Sequence, residues 1–499
     1  MTNMLTALRD ATNVGYTANG ARAYRTTNSD VLDFFGIVGS ARNLNDYALT
    51  TAFSKAIGED RLLAMKALFY GYDVRGGQGE RNTFARLVKW LVVNKPELVA
   101  LNAHLIPEYG RWDMLYVLFD TTLEDVAAEI IKKQFLVDLE SGHPSLLGKW
   151  LKSENASSTE TRRLARKTRK HLGLSSKAYR KALSTLRERI NVVERLMSAG
   201  EWDKIDFEKV PSKASLIYSD AFDRHRPNGY TAFINDVENG KAKINAGTLF
   251  PYELVRRIPS RMESIYRGKY NIVYDASLMT DKDTVNALWN AQPDYFGGRT
   301  DNALVMLDVS YSMRGLPAEI ALGLSIYAAE RNRGEFHNHI LTFSERPDLV
   351  KLQGETFVEK VCNISRAYWD LNTNIEAAFD LILNTAINKR IPADEMVSRV
   401  YIISDMQFDR AVDGGNDKAL FENLRQRYES AGYAMPDLVF WNVNASAGNT
   451  PLTFNDAGVQ LVSGASPTIF TNLLAGRMKT AYEMMLDVLE SDRYAAVRA

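Results

Sequence analysis

Asp308, Ser310 and Ser312 stand at alternate positions, directly after the apolar run Ala303 to Leu307 and ahead of Gly315. One carboxylate and two hydroxyls in a loop that follows a strand are hard oxygen donors. They suit one divalent cation of the Mg²⁺, Mn²⁺ or Ca²⁺ type, not Zn²⁺. Open α/β sheets bind their ligands at the carboxyl ends of strands, where this loop would lie. No general base stands out beside the three residues, so the pattern points to binding rather than hydrolysis.

The elements that must position this loop are legible as apolar runs and helical periods. His339 to Phe343, Val400 to Ser404, Asp437 to Val443 and Val459 to Val462 read as strands, with Leu349 to Leu352 a short edge strand. Ala318 to Arg331, Ile375 to Ile387, Lys418 to Ser430 and Leu473 to Leu489 read as helices between or after them. This alternation predicts a largely parallel, Rossmann-like sheet covered on both faces. The chain before it is helical: Asn82 to Asn94, Pro96 to Ile106, Asp113 to Phe119 and Leu123 to Leu139 follow one another with short breaks. That spacing predicts a stacked, HEAT-like helical array, without a fixed repeat period. Arg75-Gly-Gly-Gln-Gly-Glu-Arg81 lacks the Lys-Ser/Thr of a phosphate loop and has no strand before it, so it reads as a structural turn. So does Gly110-Arg-Trp-Asp113. With 499 residues the chain needs more than one core. The division falls at 1–298, helical, and 299–499, α/β.

Charge separates the same two parts. From Asp301 onward there are 18 Lys and Arg against 26 Asp and Glu; before it there are 43 against 35. The basic excess concentrates in Thr161 to Arg189, which holds 11 Lys and Arg and one acid, Glu188. A buried stripe, Tyr179, Leu183, Leu186, Ile190, Val193 and Met197, predicts one continuous helix with cations on its other faces. Arg162, Arg163, Arg166, Lys167, Arg169, Lys170, Lys177, Arg180, Lys181 and Arg187 are the candidate contacts to a phosphate backbone, and RNA is the expected partner. Cys362 is the single cysteine, which excludes a disulfide framework. No apolar run reaches the ~18 residues of a membrane span. Met1 to Gly15 lacks the apolar centre of a signal peptide. A cytoplasmic protein that does not engage membranes is the expectation.

Asp308-x-Ser310-x-Ser312 after an apolar strand resembles the first motif of a metal-ion-dependent adhesion site in von Willebrand factor A domains. On that resemblance Thr373 matches the second-loop threonine and Asp405 the third-loop aspartate. It implies a metal set of Asp308, Ser310, Ser312, Thr373 and Asp405, with one position open for an acidic oxygen of a partner. A helical region followed by such a domain is similar to the Ro ribonucleoprotein autoantigens, which pair a TROVE-type helical domain with an A domain. The phrases Thr26 to Phe35, Arg75 to Arg81 and Gly110 to Asp113 look closer to an uncharacterised Ro-related family of plants, bacteria and phages. The resemblance implies a ring-shaped helical domain and non-catalytic binding of structured or misfolded small RNAs.

Three function classes follow. The first expectation is a non-enzymatic, Ro-like RNA-binding protein with one divalent cation. The second is a protein-interaction scaffold whose ion grips an acidic residue of a partner. The third is a metal-dependent nuclease, disfavoured by a single mononuclear site.

Overall fold

A computed structural model describes residues 12–17, 22–266, 269–298, 300–308, 310–342, 347–366, 374–407, 420–445, 450, 458–473 and 479–499, together with Met4. The chain is helix-rich, with a mixed six-stranded sheet in its C-terminal region. In chain order the strands are β1 (Val14–Tyr16), β2 (Arg22–Tyr24), β3 (Ser260–Tyr266), β4 (Lys269–Tyr274), β5 (Ala303–Leu307), β6 (His339–Thr342), β7 (Leu349–Lys351), β8 (Arg399–Ser404), β9 (Asp437–Asn442) and β10 (Val459–Ser463). β1–β2 and β3–β4 are separate antiparallel hairpins.

The large sheet has the order β10-β9-β8-β5-β6-β7, and only β7 runs antiparallel. Every residue of β5, β8 and β10 is buried. Continuous apolar strands of this kind need cover on both faces, and helices supply it. The Leu316–Arg331 helix crosses from β5 toward β6, and Leu420–Ser430 lies between β8 and β9. From β5 the chain moves outward to β6 on one side, then returns to place β8 on the other. The switch point of the topology therefore lies between the carboxyl ends of β5 and β8.

In the N-terminal half, Asp30–Val38, Asp46–Glu59, Arg61–Tyr72 and Arg81–Asn94 pack in succession. Ser29, Asn45 and Asp60 cap the first three by accepting from backbone N–H groups, which satisfies donors that the helix cannot. The segment expected as a helix from Asp113 is a run of 3₁₀ turns, Trp112–Leu118. The helix expected to continue to Met197 ends at Ile190. Asn191 adopts the left-handed conformation (φ 54°) that closes it, and a separate helix, Val193–Ser198, follows. The β3–β4 hairpin interrupts the helical half and was not foreshadowed by its sequence pattern.

The two halves share one continuous core. The Asp30–Val38 helix lies against β10, and a Cβ on Gly36 would meet Leu461 at 2.5 Å. Gly39 donates to Ser463 Oγ (3.1 Å), which donates to the Phe35 carbonyl (3.2 Å). The glycine cluster at 76–79 is part of this seam. Gln78, buried, donates to Tyr70 Oη (2.5 Å) and accepts from Ser466 N (3.3 Å). A Cβ at Gly77 would come within 1.9 Å of the Tyr70 carbonyl oxygen, so glycine is required there. The C-terminal residues complete the junction. Arg493 makes a two-pronged pair with the fully buried Asp73 (2.7 and 2.9 Å), and Tyr494 stacks on Tyr109.

Candidate functional site

The oxygen donors expected from the sequence meet at the switch point. Asp308 follows β5, and its carboxylate is fully buried. The Ser404 hydroxyl, at the end of the adjacent β8, donates to Asp308 Oδ2 (2.5 Å), and Ser310 N donates to Oδ1 (2.8 Å). Ser310 Oγ and Ser312 Oγ lie 3.1 Å apart. Asp405 is buried too. It is hydrogen-bonded to the Ser312 hydroxyl and accepts from Gln407 N (3.2 Å). Met406 takes a left-handed conformation (φ 65°), with its N–H on Ser404 Oγ (3.0 Å), and so fixes the turn that presents Asp405.

Burial pushes the Asp308 carboxyl up to about 6, and the charge of Asp405 adds to the effect. Asp405 is raised as well, chiefly by burial, against the Ser312 and Gln407 hydrogen bonds. Two like charges held close together in low dielectric are unfavourable, and a cation between them would relieve both. The donor set fits a hard ion: two carboxylates and two hydroxyls, all oxygen. Among the described residues no group of three or more His, Cys, Asp or Glu side chains gathers as a metal cluster. An ion here would therefore rely on Ser310 and Ser312. Each Asp308 oxygen already accepts one hydrogen bond, which favours contact through water over direct ligation. Thr373 lies outside the described residues. The apolar pattern marks Ser404 only as the last residue of a strand; its place immediately before Asp405 is the signal of its role.

The basic segment forms two helices, Thr159–His171 and Ser176–Ile190. Six of its ten candidate cations are engaged within the fold. Arg163 pairs with Asp120 through both prongs (2.9 and 2.6 Å) and with Glu160. Lys167 reaches Asp120 and Glu124 (2.5 and 2.7 Å). Arg169 pairs with Glu154 (2.9 Å). Arg162 donates to the carbonyls of Ala156 and Ser157, and Arg187 to those of Gly148 and Leu151. These bonds hold Asp120 well below the usual carboxylate range. Burial opposes the same effect at Glu124, but His171 and Lys167 still hold it down to about 2. Arg166, Lys170, Lys177, Arg180 and Lys181 remain exposed; Arg180 donates to the Ser176 carbonyl (3.4 Å), and among the described residues none of the five has an ion pair.

Two family profiles match the chain: a domain of unknown function, DUF2828, over residues 17–118 and 145–292, and a second, DUF7788, over residues 302–496. An uncharacterised protein of Acanthamoeba polyphaga mimivirus is 31% identical over 518 aligned positions, covering 96% of this chain and 87% of its own length. The chain belongs to this DUF2828–DUF7788 family. The expected membership among Ro-type proteins with a TROVE domain and a von Willebrand A domain is corrected by these matches, which lie in neither. The physical reason is the generality of the cue. An open parallel sheet places acid and hydroxyl side chains after its central strands whatever its ancestry, and helix-then-sheet order is equally common. In this DUF2828–DUF7788 chain the oxygen cluster stands on its own geometry.

Proposed function

We propose that this protein is a non-catalytic binding protein that holds one Mg²⁺-class ion at the switch point of its sheet and recruits an acidic group of a partner through it. The observation that carries this reading is the convergence of Asp308, Asp405, Ser310 and Ser312 on one buried-to-exposed edge; Ser312 is solvent-exposed while both carboxylates are buried. The ion would supply electrostatic attraction for a carboxylate or phosphate oxygen. The chain's own residues would orient it: Ser404 and Ser310 N fix Asp308, and Met406 fixes Asp405. The helices of the first half, proposed as HEAT-like pairs, serve as the scaffold against which the sheet is braced. The test is thermal stabilisation by Mg²⁺ followed by inorganic phosphate. Phosphate is expected to raise the melting temperature further only when Mg²⁺ is present and only with Asp405 intact. A phosphate effect indifferent to both would reject the reading.

A second reading, RNA binding, rests on the five exposed cations of the two basic helices. A phosphate-backbone surface of that size gives a salt-sensitive affinity. Replacing Arg166, Lys170, Lys177 and Lys181 by Glu leaves the internal ion pairs intact, so lost binding to a structured RNA would report contact rather than unfolding. Unchanged binding would remove this reading.

A further inference from the structure

A cleft of about 610 Å³ opens along the Ser176–Ile190 helix, between it, residues 149–155 and the start of the Val193–Ser198 helix. That volume lies within the ~300–1,000 Å³ of small-molecule sites. Its charged lining is Lys149, Arg180, Arg187 and Arg195 against Glu154 and Glu194, four cations to two carboxylates. Leu183 and Val192 add apolar surface.

The ion pairs around the cleft leave a positive surplus. Lys149 is paired with Glu194 (3.2 Å), whose second oxygen is withdrawn from solvent. Arg195 is paired with Glu188 (3.0 Å), which lies outside the lining. Glu154 has both oxygens occupied, one by Arg169 from outside the lining (2.9 Å) and one by the Ser176 hydroxyl (2.5 Å). Arg180 and Arg187 are left, and among the described residues neither has an ion-pair partner. Arg187 is half-buried and held by neutral acceptors alone. Its Nε donates to the Gly148 carbonyl (3.0 Å), Nη2 to that of Leu151 (2.9 Å) and Nη1 to Ser153 Oγ (3.0 Å). A guanidinium carries five N–H groups, so these three bonds leave two unused. Burial lowers the Arg187 pKa from the usual arginine range, the cost of a charge removed from water. Arg180 is exposed and turns back toward the Ser176 carbonyl (3.4 Å). The two arginines stand seven residues apart on one helix, ~10 Å of rise, more than a single phosphate spans.

We propose that this cleft binds a small bisphosphate, with one phosphate on the fixed fork of Arg187 and the other on Arg180. Each planar guanidinium suits a dianionic group, and the uncharged body that joins the two lies over Leu183. The site uses neither Asp308 nor Asp405 and is independent of the ion proposed above.

The probes are fructose bisphosphate and adenosine 3′,5′-bisphosphate, titrated by calorimetry into the full-length chain in the presence of a chelator, which keeps the ion site empty. One of the two should bind about tenfold or more tightly than its own monophosphate, the scale of one charge-assisted hydrogen bond; whichever does so identifies the body as sugar or nucleoside. Arg180→Ala, an exposed change, should remove that advantage. Ser184→Trp, at an exposed position of the lining, should abolish binding by filling the cleft. Arg166→Glu with Lys170→Glu, outside the lining, should leave binding unchanged. No binding of either probe, no advantage over the monophosphates, or parental affinity in R180A and S184W would overturn the proposal. Equal binding of adipate would do so too, because any diacid would then serve. So would a loss of binding in the Arg166 and Lys170 variant, because the whole basic surface rather than the cleft would then hold the anion.

Discussion

Asp308 shows how a single side chain is committed by its neighbours. Its two oxygens accept from Ser404 Oγ and Ser310 N, and it has no exposed surface. Ser404→Ala removes one of those donors and leaves a buried carboxylate oxygen unsatisfied. The expected cost is ~1–3 kcal/mol of stability, read as a lower urea midpoint at unchanged slope. Glu80 provides a pH-dependent case. Burial pushes its carboxyl from 4.5 up to about 7, against the pull of Arg42. A folded-state value above the unfolded one means that the folded chain binds the proton more tightly. The contribution of Glu80 is therefore greatest below pH 4.5 and is lost as the pH rises toward 7. Glu80→Gln is expected to flatten this part of the stability profile; equal slopes in both proteins between those two values would contradict the assignment.

Helices and strands were legible wherever one face of an element decides its environment. The apolar run ahead of Asp308 and the one ahead of Asp405 are both central strands, and their adjacency brings the two carboxylates together. What escaped is long-range. The segment 161–189 contains one acid, yet Arg163 and Lys167 meet Asp120 from 43 and 47 residues away in sequence, and Lys167 also meets Glu124. A local count of charge cannot see partners supplied by another helix. The break at Asn191 escaped for a different reason: the apolar period runs through it, and only the left-handed cap reveals the stop. The Thr159–His171 helix is therefore held by ion pairs as well as by packing. Arg163→Glu with Lys167→Glu should destabilise the fold itself, with a loss of helical signal at lower temperature. The same number of reversals at Arg166 and Lys170 should leave the melting temperature within a few degrees of the parent, since exposed unpaired charges contribute little.

At the scale of the whole molecule the two halves are fastened at both ends of the chain. The first helices cover β10, and the last residues return to the helical half through Arg493, Tyr494 and Arg498, the last bonded to Asn102. Removing Arg493 leaves the buried Asp73 carboxylate with only Tyr494 and backbone donors. Arg493→Ala should cost about 3 kcal/mol, and Arg493→Lys should recover little, because an ammonium cannot reproduce the two-pronged contact. Residues 300–499 expressed alone should aggregate, because Leu461 and the Ser463–Ser466 edge lose their cover; co-expression with residues 1–299 should restore solubility. The braced sheet in turn presents Asp308, Ser310, Ser312 and Asp405 as one cluster. The most direct check is a Mn²⁺ titration of the full-length protein followed by the electron paramagnetic resonance of the free ion. One bound ion per chain is expected, displaced by Mg²⁺, and absent from Asp308→Ala and from Asp405→Ala when both remain folded. Mn²⁺ binding that persists in both variants, or none in the parent, would contradict an ion at this site.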